Sequence, residues 1–127
     1  MKNDLKNRED VHLLVTRFYD KVRTNEEIGH FFNNSIKNWE EHLEKLTDFW
    51  ESNLFFVSKY SGNPQKVHIE VDAQNQNQIN EKHFGAWLNL WLETIDEYFE
   101  GELAERAKFS ARKMASHLHL KMFQARQ

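Results

Sequence analysis

The chain has 127 residues, no cysteine and seven histidines, with a net charge of -3 and an aromatic fraction of 13% that includes four Trp and ten Phe. That length fits one domain over residues 1–127, with residues 1–9 as a loose N-terminal extension. Without cysteine there is no disulfide framework, zinc finger, thiolate-held cluster or thioether-anchored cofactor, so a bound metal would need His, carboxylate, Tyr or Met. Acidic and basic residues read as interspersed, which argues against a nucleic-acid partner. Residues 1–10 lack an apolar core, and no run approaches the ~20 apolar residues of a membrane span. A soluble, cytoplasmic protein with no membrane partner is expected, as a monomer or weak dimer.

Glycine and proline are scarce, at four and one, which favours helix. Val11, Leu14, Val15, Phe18 and Val22 step by three and four residues, as one helix face does, and the series stops near Asn25. Gly29 is expected to end any continuation, and His30-Phe31-Phe32-Asn33-Asn34-Ser35 reads as a turn-rich connector that can supply the next N-cap. Ile36, Trp39, Leu43, Leu46, Phe49 and Trp50 define a second helix running to about Phe56. Tyr60-Ser61-Gly62-Asn63-Pro64 is a breaker whose Asn63-Pro64 can start a two-turn helix over 65–71. The Gln/Asn-rich stretch 72–78 reads as an exposed connector. Asn80 caps a third long helix, Ile79 and Phe84 form its staple, and its stripe is Phe84, Trp87, Leu88, Trp91, Ile95 and Phe99, with Gly101 at its end. The last helix carries Leu103, Ala107, Ser110, Ala111, Met114, Leu118 and Met122. Four long helices and one short one are expected, with no strand.

A two-turn helix is marginal alone, so packing or a ligand bond must hold 65–71. Among the histidines, His12 lies off its apolar stripe and His83 falls in a first turn. His117 and His119 are two apart and point to different sides of a helix, a poor metal pair. Glu9 with His12 and Glu27 with His30 have the Glu-x-x-His spacing of a di-iron bundle, but Gly29 interrupts the second pair. His42, beside Trp39, Leu46 and Phe49, faces either a partner or a cavity, and His68 sits between Val67 and Ile69 in the short helix. Two readings stand: aromatic stripes as plain core, or a flat apolar cofactor clamped between helices with a histidine on each face.

In order along the chain, several stretches resemble the truncated haemoglobins, specifically group III. They are Phe18-Tyr19-Asp20-Lys21-Val22-Arg23, Ile28-Gly29-His30-Phe31-Phe32-Asn33-Asn34, Trp39-Glu40-Glu41-His42 and Phe49-Trp50. They continue with Tyr60-Ser61-Gly62-Asn63-Pro64 followed by His68, and with His83-Phe84-Gly85-Ala86-Trp87-Leu88, so that roughly residues 10–120 are covered. Two departures stand out. His30 replaces a proline common in the family, and the Gln/Asn tract at 74–78 replaces a segment that often carries prolines.

The resemblance implies an all-α, two-over-two helical sandwich around haem b, with His68 as the proximal iron ligand. Tyr19, His42 and Trp87 map onto the distal positions. Leu46, Phe49, Trp50, Phe32, Tyr60 and Val67 map onto the cofactor lining. Lys45 is a candidate propionate partner, or else a plain exposed lysine. Dioxygen is the implied ligand, with nitric oxide or peroxide as further partners. Three functions compete: a dioxygen carrier for storage or transport; a nitric oxide dioxygenase or peroxide-activating enzyme served by a reductase; and a haem-free helical domain that binds a protein through its aromatic face. His42 is either a hydrogen-bonding group or a gate, and whether His30 approaches the haem edge is open.

Overall fold

The computed structural model describes residues 2–56 and 81–125. The breaker at 60–64, the two-turn helix at 65–71, the connector at 72–78 and the Ile79–Asn80 start lie outside the described residues, as do Tyr60, Val67 and His68. Within them are five helices and no strand: α1 (Arg8–Thr24), α2 (Gly29–Ser35), α3 (Trp39–Phe55), α4 (Glu81–Tyr98) and α5 (Glu102–Ala125). Helices α1 and α3 pair in one layer and α4 and α5 in the other; α1 crosses α4, and α3 packs on α5. The arrangement is a two-over-two sandwich.

Local rules account for most boundaries. The Asn7 side chain accepts the Asp10 N–H and opens α1, whose buried stripe is Val11, Leu14, Val15, Phe18, Tyr19 and Val22. Helix α3 is capped by Asn38, whose side chain accepts the Glu41 N–H; the cap does not come from Asn33–Ser35. It ends at Phe56, a non-glycine residue in the left-handed region at φ 58.

Helix α2 departs from expectation, because Gly29 begins a helix. After α1, the Asn25 side chain accepts the N–H groups of Glu27 and Ile28 and turns the chain at once. Gly29 then lies so close to the end of α1 that a Cβ there would sit 2.7 Å from the Arg23 carbonyl oxygen. The glycine serves a close approach rather than a stop.

The two layers meet through a contrast in side-chain size. Helix α5 buries Ala104, Ala107, Ala111 and Ala115, and small residues let a neighbouring helix approach. Trp91 of α4 fills that space, donating from Nε1 to the Ala107 carbonyl at 3.1 Å and stacking on Trp50 of α3 at 4.6 Å. One indole thereby ties together α3, α4 and α5.

Residues 4–9, expected within a loose extension, pack against the helices. Asp4 accepts the N–H groups of Leu103 and Ala104, both at 2.9 Å, and so caps α5 from 99 and 100 residues away. Leu5 is buried, and Arg8 bonds to Glu44, Asp48 and Glu51 of α3. Helix α5 has four orphan N–H groups to satisfy, and α3 carries a row of carboxylates; this segment answers both.

Candidate distal pocket

Three helices bring the expected distal residues together. Tyr19 lies on the buried face of α1, where its ring is 5.7 Å from that of His42 on α3 and 6.0 Å from Phe32 on α2. Trp87 of α4 packs edge-on against Phe18 at 5.6 Å, close to Tyr19. Burial pushes the Tyr19 pKa well above its ordinary value, and the Trp87 N–H opposes that only in part. At any physiological pH the phenol therefore keeps its proton and can donate.

Trp39 belongs to this cluster although it was not among the expected lining residues. Its ring is 5.7 Å from Tyr19 and 5.5 Å from His42, and the Arg23 guanidinium covers it at 4.5 Å. The available signal was its position one turn before His42 on the same face.

The remaining lining residues divide. Leu46 and Phe49 are half-buried on α3, as are Phe84 and Leu88 on α4, leaving an apolar border around the polar cluster. Trp50 is only 4% exposed, and its ring face is taken up by Trp91. Lys45 is exposed and pairs with Glu41 at 3.1 Å. His30 is exposed and its ring lies tilted 4.0 Å from that of Phe31, which also meets His83 edge-on at 4.8 Å. His12 pairs with Glu44 at 3.5 Å, and His117 is exposed. Among the described residues no three His or carboxylate groups gather as a metal site, so Glu9, His12, Glu27 and His30 do not form a di-iron centre.

This chemistry fits a haem. Aromatic and aliphatic side chains offer contact to a flat apolar ring, and Tyr19 and Trp87 are neighbouring uncharged O–H and N–H donors.

No protein-family model matches the sequence. The chain is 31% identical over 121 residues to the group 3 truncated hemoglobin ctb of Campylobacter jejuni, covering 92% of this chain and 91% of that protein. It belongs to the group III truncated haemoglobins. The fold agrees: the crystal structure of a group III truncated hemoglobin from Campylobacter jejuni superposes with a TM-score of 0.83 at 29% identity, covering 96% of this chain and 95% of that one. Membership in this truncated haemoglobin family makes the protein a haem-binding globin, with small diatomic molecules as its class of ligand. No helix among the described residues is long and apolar enough to cross a membrane.

Proposed function

We propose that the protein binds dioxygen and other diatomic ligands at the iron of a haem b held by His68, with Tyr19, His42 and Trp87 as polar groups on the opposite face. The observation that supports this reading is the convergence of Tyr19, His42 and Trp87, from α1, α3 and α4, on one aromatic-walled spot. Haem, when bound, supplies the iron that takes the diatomic ligand. The chain does the rest. Tyr19 Oη and Trp87 Nε1 would donate to a partially negative ligand atom, and because neither side chain ionises near neutral pH that donation would persist across the range. Leu46, Phe49 and Phe32 would exclude water, and Tyr60 and Val67 are proposed as further lining residues. The second nitrogen of the His68 ring would donate to a carbonyl or carboxylate, fixing the tautomer. Half-buried His42 would add a third bond or swing as a gate, and exposed Lys45, which pairs with Glu41 at 3.1 Å, would be the partner of a propionate.

A second reading draws on the same donors. Two or more hydrogen bonds slow ligand release, which suits nitric oxide dioxygenation or peroxide activation, with a reductase as electron source, better than oxygen transport.

Protein expressed with haem available is expected to show a Soret band, and His68→Ala to lose the spectral features of an axial histidine while keeping its helical circular dichroism. A colourless chain that takes up no added hemin refutes the cofactor, and unchanged axial features in the variant refute His68. Mixing the dioxygen-loaded protein with nitric oxide in stopped flow, with a reductant to test for repeated turnover, separates carrier from enzyme.

A further inference from the structure

Tyr19 is only 4% exposed, so a diatomic molecule reaches its hydroxyl past the side chains around it. Among the described ones, Phe18, Phe32 and Trp87 are buried, while Trp39 and His42 are half-buried. Rings locked inside a close-packed layer move only if their neighbours move. Trp39 and His42 differ in freedom. His42 lies one turn inside α3, whereas Trp39 is its first residue, directly after the cap Asn38, and helix ends open more easily than helix middles. Outside Trp39 there is room. A depression of about 520 Å³, bordered by the exposed side chains of Asp20, Arg23 and Lys37, has Trp39 in its wall. Of the described residues that line it, Trp39 is the one that also packs against Tyr19 and His42, at 5.7 and 5.5 Å between ring centres.

The outer face of the indole is held by one cation. The Arg23 guanidinium lies 4.5 Å from the Trp39 ring centre. Asn33 of α2 aims it: Arg23 Nε donates to Asn33 Oδ1 at 3.3 Å, and Asn33 Nδ2 donates back to the Arg23 carbonyl at 3.0 Å. Both side chains are exposed, and at an exposed site such a cation–ring contact shifts an open–closed balance only about twofold to fivefold. We propose that Trp39 is the movable wall through which diatomic ligands enter the distal pocket, and that Arg23 is the positioning residue that latches it. The indole swings into the depression, uncovers Tyr19 and His42, and returns under the guanidinium. What enters is taken from the dioxygen reading; the route does not depend on which of Tyr19, His42 and Trp87 holds the ligand. A movable wall leaves a signature that a ligand donor does not. Loosening it speeds entry and escape by the same factor and leaves the affinity unchanged, because it is closed in both the free and the bound states. Loss of a donor speeds escape.

The test uses the full haem-loaded chain in its ferrous form, with carbon monoxide as the probe. Arg23→Met is expected to raise the association and dissociation rates together, each about twofold to fivefold, with the Soret band in place. Trp39→Ala is expected to raise both further, and Arg23→Lys, which keeps a cation for the ring, to fall nearer the parent. A second readout does not use ligand kinetics. In the carbon monoxide form the Trp39 indole N–H is expected to exchange with solvent about twofold to fivefold faster in Arg23→Met, while that of Trp91, bonded to the Ala107 carbonyl, keeps its rate. Should Trp39→Ala lose its fold, the exposed change Asn33→Ala, which frees the guanidinium and leaves the wall intact, is expected to follow Arg23→Met. The proposal is overturned if the rates in Arg23→Met and Trp39→Ala match the parent's, if dissociation alone quickens, or if only His42→Leu speeds entry. A parent chain without a Soret band removes the dioxygen reading together with this route, whereas a normal band with unchanged rates removes the route alone.

Discussion

Replacing Tyr19 by Phe removes one oxygen atom from a fully buried site and leaves the ring in place. The ring keeps its edge contacts with Phe18 at 4.7 Å and Phe32 at 6.0 Å, so the fold should change little while one donor disappears. A neutral hydrogen bond is worth about 1 kcal/mol net, with a range of roughly 0.5–1.5, and about 1.4 kcal/mol is a factor of ten. Dioxygen release should therefore quicken about fivefold to tenfold. Trp87 supplies a second constraint, because it lowers the same phenol's pKa against the effect of burial and so lies close to it. Groups that share one point are not additive, and a coupling of about 0.5–3 kcal/mol is expected between Tyr19→Phe and Trp87→Phe. The assay is stopped-flow displacement of dioxygen by carbon monoxide from the parent, the two single variants and the double variant, each with its Soret band checked first. An unchanged release rate in Tyr19→Phe would remove Tyr19 from the set of ligand donors, and two effects that simply multiply would refute its coupling to Trp87.

Three further outcomes follow from the packing and the charges. Arg8→Met takes the guanidinium away from Glu44, Asp48 and Glu51, the last only 10% exposed in its side chain; after discounting the more exposed pairs, a loss of about 2 kcal/mol and a Tm lower by roughly 5–10 °C are expected, and a shift under about 2 °C would show that the network is ornamental. Gly29→Ala would put a Cβ 2.7 Å from the Arg23 oxygen and 2.9 Å from that of Val22, both backbone atoms, so urea titration should show a loss of about 2–3 kcal/mol; a neutral result would mean that α2 moves freely. Burial, and then the charge of His30, hold the His83 pKa below its ordinary value, with Glu27 opposing and Lys82 adding to the shift. Protonation therefore penalises the folded state: stability is unaffected well above about pH 6.5, falls as pH drops through that value, and carries the full penalty below the folded pKa. His30→Gln should flatten this decline in urea titrations across that range, and an unaltered slope would show that the two imidazoles do not interact.

The helical stripes were legible because periodicity is a short-range property. Val11 to Val22, Leu43 to Trp50, Phe84 to Phe99 and Leu103 to Met114 each announce a buried face through spacing alone, and the resemblance to the truncated haemoglobins rested on short ordered motifs of the same kind. Helix α2 was not legible. Its seven residues are too few for a period, and its start depends on Asn25 turning the chain and on Gly29 touching α1. The role of the first residues was equally hidden, since the N-terminus of α5 is satisfied by Asp4, from the far end of the chain. Tyr19, His42 and Trp87 were identifiable one at a time by residue type and motif, but they stand 23 and 45 residues apart, and only the crossing of α1 over α4, beside α3, brings them to one spot. Trp50 shows the same limit: its spacing marks an apolar face, and only the approach of alanine-faced α5 to α4 brings Trp91 onto its ring. Spacing along a helix says which face is apolar. What that face meets is decided by contacts between residues distant in sequence, and those exist only once the layers have packed.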